Sequence, residues 1–507
     1  MAINQLKTGV VLSYVSIGIN TLIGLLLVPF ILRMIGSAEY GLYSLVASII
    51  AYLSIFDSGF GNAIIRYTAK FRKTNKEREQ HEMFGMFILL YSAIGVVILI
   101  AGLAFYFNID NLYGNTMTAD ELRKTRIMVF MTIVNLAVTF PLCVWGSIIT
   151  AYENFIFQKL VLILRTLLNA AAIIVMLLFG FKAIGIVACT IAFNILALVA
   201  NWWFCKYRLQ IKVIYGKFNW SFMKEVALYT FWIFLNLITD RIYWSTGQVI
   251  LGIYYQAAII TVYALAIQLV QIYMTCSTAI SGVFLPKLTG MVAQEKSHKE
   301  ISDIFIRTGR LQYCVIVFIL TGFVLFGKQF ITLWAGDGFA DVYYLGLMLF
   351  VPLTVPLVQN LGITILQAYN KMAFRCVLYV VIAVLSLVLS LLLIPQYGVY
   401  GCALGTTIAL ILGQIIIMNV YYQKKIKLDI ILFWKEIGKM TIAPLFIGAI
   451  GWYTLQYIPL NNVGALVLGM LAFSAVYLPA FWFFAMNKYE RGLIITPLTN
   501  ALNRTKA

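Results

Sequence analysis

The stretch from Leu228 to Ile253, LYTFWIFLNLITDRIYWSTGQVILGI, is almost wholly apolar and carries an acid and a base side by side near its middle. At about 1.5 Å of rise per residue, a helix of this length crosses a hydrocarbon layer about 30 Å thick. Asp240 and Arg241 then lie deep in the membrane, where each charge costs at least about 2.5 kcal/mol to insert. Neighbouring side chains on a helix point about 100° apart, so each charge needs its own partner, water or ligand.

The remainder of the chain has the same apolar character. Of its 507 residues, 62% are hydrophobic and 11% are charged, and the mean hydropathy is +0.92. Apolar stretches of about 20–25 residues recur along the whole chain, which is typical of membrane helices and not of the short alternating strands of a β-barrel. The sequence predicts an all-α polytopic membrane protein with about fourteen transmembrane helices. The predicted spans are 9–32, 43–65, 83–107, 127–150, 160–179, 183–205, 228–253, 259–284, 311–334, 342–367, 376–394, 401–422, 440–458 and 463–486.

The net charge of +18 is explained by topology. Alternate loops, such as 66–78 and 206–224, are rich in Lys and Arg, which places them in the cytoplasm together with both termini. This distribution accounts for the basic excess without nucleic acid as a partner, and basic segments beside the membrane can also hold anionic lipid headgroups. We therefore expect a multi-pass protein of the bacterial plasma (inner) membrane.

The sequence contains no pattern typical of a catalytic or metal site. The seven cysteines lie in or beside apolar runs without a CxxC spacing, and the two histidines are isolated in charged loops. We find no phosphate-cradling glycine loop and no nucleophile–base arrangement, so we expect no catalytic residue, metal or cofactor. No loop is long enough for a soluble domain, which also disfavours an enzyme.

A weak internal repeat divides the chain. The segment Ala151–Asn154 with Phe157 matches Ala368–Lys371 with Phe374 at a shift of 217 residues. A unit of six spans returns the chain to the same side, so the two copies are parallel. The predicted parts are a six-helix lobe over 1–215, its repeat over 216–425, and two additional helices with a basic tail over 426–507.

Several short motifs resemble the lipid-linked oligosaccharide flippases of polysaccharide export, whose superfamily also holds the multidrug and toxin extrusion transporters. The similar segments are 29–43 at the first outer turn, 56–61 with Arg66 and Tyr67 at the end of span two, 240 with 263–266 and 284–288 in spans seven and eight, and 397–404 before span twelve. The resemblance implies two six-helix lobes in a V around a central cavity. It also implies a polyprenyl-pyrophosphate-linked oligosaccharide as substrate, moved from the cytoplasmic to the outer leaflet. The first two spans lack the several basic residues typical of peptidoglycan-precursor flippases, which disfavours that cargo.

Three arginines are candidates for binding the substrate, because a pyrophosphate needs cationic donors on its path through the membrane. Arg241 lies nearest the middle of a predicted span; its alternative role is an ion pair between helices. Arg165 lies inside span five, where its side chain could instead reach the inner surface. Arg66 could instead anchor the inner end of span two.

Two intramembrane acids, Asp240 and Asp57, are candidates for coupling transport to H⁺ or Na⁺. A carboxyl group in a low-dielectric cavity gains and loses a proton as access alternates. The alternative for Asp240 is a salt bridge, and for Asp57 it is a cap at the bend that follows.

The predicted mechanism is alternating access by rocking of two lobes. Expected partners are the lipid-linked oligosaccharide, membrane lipids and other glycan-assembly membrane proteins. Three alternatives stay open: a cation-coupled multidrug exporter of the same fold, a membrane-embedded glycan polymerase or ligase, and a scaffold that transports nothing.

Overall fold

The computed structural model describes residues 5–53, 60–216, 220–281, 288, 290–292, 294, 296–458, 460–493 and 495. These residues form helices and connecting turns, with no strand among them. Eleven of the described helices are long and apolar enough to cross a membrane. The predicted class of an all-α, multi-pass membrane protein is therefore confirmed.

The first eight helices follow the order of the predicted spans. They are α1 (Gln5–Leu53), α2 (Phe60–Lys73), α3 (Glu77–Tyr113), α4 (Ala119–Ala151), α5 (Phe155–Leu178), α6 (Ala183–Tyr207), α7 (Trp220–Tyr254) and α8 (Ala257–Ser281).

The later part of the chain includes several short helices and two π-helical segments. They are α9 (His298–Ala335), a 3₁₀ turn at Asp337–Phe339, α10 (Asp341–Val358), α11 (Leu361–Ala368), α12 (Met372–Tyr397), α13 (Val399–Leu410), the π-helical segment Ile411–Ile417, α14 (Met418–Tyr421), the π-helical segment Tyr422–Ile426, α15 (Ile430–Leu455) and α16 (Val463–Phe484). Most predicted spans fall on one described helix, whereas span 43–65 is divided between α1 and α2, span 342–367 between α10 and α11, and span 401–422 among α13, α14 and the π-helical segments. The count of fourteen membrane crossings stays a prediction.

The structure differs from the predicted boundaries at the ends of spans. The predicted first outer loop is a kink inside α1 at Gly36, whose φ of 82° is a conformation that glycine adopts without steric cost. The predicted inner loop after Arg66 is helical as far as Lys73, and the long outer loop shrinks to residues 114–118. Hydropathy marks the part of a helix that lies in lipid, so it misses polar helix ends that extend into water.

A capping box fixes the start of α4. The Thr118 hydroxyl accepts a hydrogen bond from the Glu121 backbone N–H, and the Glu121 carboxylate accepts one from the Thr118 N–H. These bonds satisfy N–H groups that have no partner within a helix. The same arrangement joins Ser297 and Glu300 at the start of α9.

The chain forms two compact units, Met1–Ala264 with Ser390–Cys402, and Leu265–Leu389 with Ala403–Ala507. The predicted division at residue 215 concerns a repeat, which these units do not test. In the first unit, α1 approaches α8 so closely that a Cβ atom on Gly41 would lie 1.9 Å from the Ala257 carbonyl oxygen. Small residues permit such close packing between membrane helices.

In the second unit, a buried arginine joins α9 to the C-terminal segments. Arg310 donates from Nε and Nη2 to the two carboxylate oxygens of Glu490, at 2.5 and 3.1 Å. Its Nη1 donates to Glu436 Oε2 at 2.9 Å. Removing one member of such a buried group leaves an uncompensated charge, so the cluster fixes how α15 and the chain after α16 pack against α9.

Candidate functional site

A cavity of about 320 Å³ lies inside the first unit, between α1, α4, α5 and α6. Arg165 lies ten residues after Phe155, where α5 begins, which is about 15 Å of helix rise. Arg165 therefore lies well inside α5 and not at its end. The cavity is lined by Tyr43, Val46, Ala47, Ile50, Thr132, Asn135, Leu136, Thr139, Arg165, Val187, Thr190, Ile191 and Asn194, and we call it the Arg165 pocket.

An amide–hydroxyl network forms one wall of the Arg165 pocket. The Asn194 amide nitrogen donates to Asn135 Oδ1 at 3.1 Å and to Thr139 Oγ1 at 2.7 Å. Residues 135 and 139 share one face of α4 because they are four residues apart. Polar groups are costly at this depth unless they are paired, so the network holds α4 against α6 and fixes the amides that face the cavity.

The hydroxyl protons near this wall are already used within their own helices. Thr132 donates to the Met128 carbonyl at 2.6 Å and Thr190 donates to the Ile186 carbonyl at 2.9 Å. Their hydroxyl oxygens therefore remain available only as acceptors. The Asn135 amide nitrogen donates to no described residue, which leaves a neutral donor available to a ligand.

Arg165 supplies the charge of the pocket. Its side chain is half-buried and forms no hydrogen bond or ion pair with a described residue. The guanidinium keeps its proton at physiological pH and offers five N–H donors in a planar fork. Since the lining contains no Asp or Glu, the pocket presents an uncompensated positive charge to whatever enters it.

The structure does not bring the other predicted binding arginines into this pocket. Arg241 lies on α7, half-buried, and forms no ion pair with the residues described, and Asp240 beside it is exposed. Arg66 lies on α2 with an exposed side chain, its guanidinium 5.8 Å from the centre of the Tyr67 ring. Asp57 falls within 54–59, outside the described residues. The roles proposed for these four residues stay predictions.

Sequence reasoning identified Arg165 but missed the amides beside it. The available signal was the presence of Asn135, Thr139 and Asn194 within apolar spans, because polar side chains inside a membrane span are costly and tend to be functional. Their convergence on Arg165 depends on how three helices pack, which hydropathy does not encode.

The comparisons with known proteins agree with this architecture. Residues 30–343, more than half of the chain, match the family described as polysaccharide biosynthesis protein. The chain is 18% identical over 413 residues to a protein named as an O-antigen transporter in Shigella flexneri, covering 80% of this chain and 94% of that protein. It is 24% identical over 234 residues to a protein named as the flippase AglR in Haloferax volcanii, covering 45% and 48% of the two chains.

Two solved structures share the fold. The lipid II flippase MurJ in an inward closed conformation superposes with a TM-score of 0.67 at 16% identity, covering 93% of this chain and 98% of that one. An inward-facing MATE family multidrug transporter of the MOP superfamily superposes with a TM-score of 0.60 at 13% identity, covering 78% and 92%. At these identities the likeness establishes the fold and leaves the cargo open.

Proposed function

The chain belongs to the polysaccharide biosynthesis protein family, and we propose that it is a flippase for lipid-linked oligosaccharides with the Arg165 pocket as its anion site. This membership agrees with the resemblance drawn from the sequence motifs. The substrate proposed is an oligosaccharide on a polyprenyl pyrophosphate, carried from the cytoplasmic to the outer leaflet of a bacterial plasma membrane. The single observation behind the site is a half-buried arginine, without a described partner, in a pocket that Asn135 and Asn194 also line.

The chemistry of the pocket suits a phosphate group surrounded by hydroxyls. Bidentate Arg–phosphate pairs are stronger than neutral hydrogen bonds and specify geometry. The Asn135 amide adds a neutral donor, while the Thr132 and Thr190 oxygens accept from sugar hydroxyls. In this proposal the headgroup enters the cavity, the polyprenyl chain stays in lipid, and alternating access releases the cargo outside.

A cation-coupled drug exporter of the same fold is the principal alternative. A cationic drug would be repelled by Arg165, and the described lining offers no carboxylate to attract it. A glycan polymerase or ligase is disfavoured because the two relatives are named as a transporter and a flippase, and the match to the O-antigen transporter covers 94% of that protein. Transport therefore explains the pocket better than catalysis.

The proposal is tested with proteoliposomes and a fluorescent polyprenyl-pyrophosphate-linked saccharide whose exposure to an external quencher reports translocation. Arg165→Gln removes charge-assisted hydrogen bonds worth about 1.5–3 kcal/mol, so we expect the rate to fall by about tenfold to hundredfold. Arg165→Lys keeps the charge but loses the planar fork of donors. We expect its translocation rate to lie between the rates of wild type and Arg165→Gln.

Arg126→Gln is the matched control, because it removes an arginine that pairs with Asp110 at the outer end of α4, away from the pocket. Normal translocation by Arg165→Gln, with loss in Arg241→Gln, would move the site to α7. In a deletion strain, we expect complete lipid-linked units to accumulate on the inner leaflet. Unpolymerised units on the outer leaflet would favour the polymerase or ligase.

We also propose that Asp240 couples transport to H⁺ or Na⁺, because it is an acid inside a predicted membrane span and its side chain is not buried by the described residues of α7 and its neighbours. Asp240→Asn is expected to abolish acceleration by an imposed H⁺ or Na⁺ gradient while the protein still reaches the membrane. A mutant that responds to both gradients like wild type would refute the coupling role.

A further inference from the structure

A second cavity, of about 440 Å³, opens at the inner ends of α2, α3 and α7 in the first unit. Its volume is within the range of about 300–1,000 Å³ typical of small-ligand sites. It differs from the Arg165 pocket in combining aromatic rings with charges of both signs. The lining residues are Tyr67, Lys70, Phe71, Thr74, Lys76, Glu79, Glu82, Met83, Met86, Phe222 and Glu225, and we call this cavity the inner cleft.

The apolar wall of the inner cleft is preorganised. The rings of Tyr67 and Phe222 meet edge to face with centroids 4.9 Å apart at 74°, and Phe71 lies 6.5 Å from Phe222. Tyr67 is 3% exposed and belongs to the hydrophobic core of this unit, as do Met83 and Met86. The rings are therefore held by packing and do not need to order when a ligand arrives.

The polar rim of the inner cleft has acceptors in fixed positions. The Tyr67 hydroxyl donates to Glu225 Oε1 at 2.8 Å, which orients that carboxylate. Lys76 Nζ lies 2.7 Å from Glu79 Oε1, and Arg78 Nε lies 3.0 Å from Glu82 Oε1. Each carboxylate has capacity for about four hydrogen bonds, so these contacts leave acceptor positions for a ligand.

The charge of the inner cleft differs from that of the inner face around it. Three carboxylates and two ammonium groups line it, whereas the surrounding inner loops are dominated by Lys and Arg. With three carboxylates against two ammonium groups, the lining has a net charge of about −1 and does not attract an anionic ligand as the basic loops do. The rim favours a neutral or amino-bearing ligand rich in hydroxyl donors, and the rings favour one with an apolar C–H face.

We propose that the inner cleft is a saccharide site that selects neutral or amino sugars of the cargo before translocation. This rests on the proposed flippase function and deepens it. Aromatic rings that stack on the C–H face of a sugar, together with carboxylates that accept from its hydroxyls, form a complementary surface. The Arg165 pocket would then bind the pyrophosphate of the cargo, and the inner cleft would recognise its sugars.

The test uses the purified full-length protein and two soluble probes: the oligosaccharide released by mild acid from the lipid-linked pool of the source strain, and inorganic pyrophosphate. Glu225→Gln and Phe222→Ala are expected to weaken oligosaccharide binding by about tenfold or more, with pyrophosphate binding unchanged. Arg165→Gln is expected to show the opposite pattern.

Matched controls lie beside the cleft and outside its lining. Glu77→Gln removes an acid from the first turn of α3, and Trp220→Ala removes an exposed ring from the start of α7. Both are expected to bind the oligosaccharide like wild type. Retained binding in Glu225→Gln, which preserves the shape of the side chain, would overturn the saccharide site even if Phe222→Ala misfolds.

The remaining outcomes separate this inference from the proposed function. Displacement of the oligosaccharide by glycerophosphoethanolamine at similar concentration would overturn the site in favour of a zwitterionic lipid headgroup. If Glu225→Gln lost saccharide selectivity and kept Arg165-dependent translocation, the result would support both the flippase function and the saccharide site. If wild type bound neither probe and moved no lipid-linked saccharide, the proposed function would fail and the inner cleft would lose its ligand.

Discussion

The two turns that follow α4 and α11 have the same backbone geometry at the 217-residue shift found in the sequence. Glu153 and Asn370 both adopt the left-handed conformation, with φ of 59° and 55°. The hydrogen bonds correspond one to one. In the first turn the N–H groups of 152, 153 and 154 donate to the carbonyls of 148, 150 and 149, and in the second those of 369, 370 and 371 donate to 365, 367 and 366.

The aromatic pairs beside these turns also correspond. Phe157 stacks on Phe204 with centroids 3.9 Å apart and an interplanar angle of 15°. Phe374 stacks on Tyr421 at 4.0 Å and 10°. Both members of the second pair lie 217 residues after those of the first. This agreement concerns the turns and the helices beside them, and a two-lobe repeat of the whole chain stays a prediction.

The charged and amide side chains of the Arg165 pocket are not repeated at the positions 217 residues later. The position equivalent to Arg165 is Ile382, which is 2% exposed and packs on Gly413. The positions equivalent to Asn135, Thr139 and Asn194 are Pro352, Pro356 and Ile411. The contrast teaches that the turns and stacked rings are shared by the two segments, whereas the charged and amide side chains of the Arg165 pocket occur in only one of them.

The largest effect is expected from exchanging the charged and the apolar side chain between the equivalent positions 165 and 382. Ile382→Arg places a charge in a packed apolar site and should destabilise the protein by several kcal/mol. Arg165→Leu should leave the apparent Tm in detergent unchanged or raised while abolishing translocation. Thermal unfolding and the proteoliposome assay measure the two quantities. A normal Tm in Ile382→Arg would show that the second half tolerates a charge there and would remove the contrast.

The next largest effect is expected from overpacking at Gly413. A Cβ atom at this position would lie 2.0 Å from Ile382 Cδ1, so Gly413→Ala should cost about 1–3 kcal/mol of stability through overpacking. The equivalent first-half position is Leu196, which is exposed, and Leu196→Ala serves as the control.

The double variant Gly413→Ala with Ile382→Ala removes both side-chain carbons that clash, Cδ1 and Cγ1, so it should be destabilised by less than the sum of the two single variants. Additive destabilisation in that variant would mean that the two residues do not share the strain, and the site would then be looser than its geometry indicates.

The sequence predicted the class of fold and the regions of the helices because long apolar runs and basic loops record the membrane directly. It also predicted the repeat segment, since Tyr152 and Tyr369 occupy the same place in two turns of one geometry. It predicted a loop where α1 continues through a kink at Gly36, because Ser37 and Glu39 lower the hydropathy although they are helical.

The site was predicted in part for a similar reason. A charged residue inside an apolar run is evident from the sequence alone, so Arg165, Arg241 and Asp240 were all predicted as candidate site residues. Which charge meets a polar cavity depends on the rotation of each helix about its axis, and a mean hydropathy carries no record of that rotation. The structure places Arg165 beside Asn135 and leaves Arg241 outside that pocket.

The left-handed residues of the two turns should differ in strain. The left-handed conformation costs a Glu residue more free energy than an Asn residue, because the short Asn side chain tolerates it better. Glu153→Gly should therefore stabilise the protein by about 0.5–1 kcal/mol, whereas Asn370→Gly should change little. Thermal unfolding of the two single variants decides the point. Equal shifts would mean that both turns relax alike and that residue identity there is incidental.

The smallest effect is expected from exchanging the one residue that differs between the stacked pairs. Tyr421→Phe makes the second pair identical to the first, and Phe204→Tyr makes the first identical to the second. The rings keep their area and offset, so each change should stay within about 0.5 kcal/mol of wild type. Phe204→Ala and Tyr421→Ala are the reference variants, because each removes a stacked ring and should cost about 3 kcal/mol or more if buried contacts are lost. A large loss in Tyr421→Phe alone would show that the hydroxyl has its own partner, and that the second pair has acquired a role beyond the packing it shares with the first.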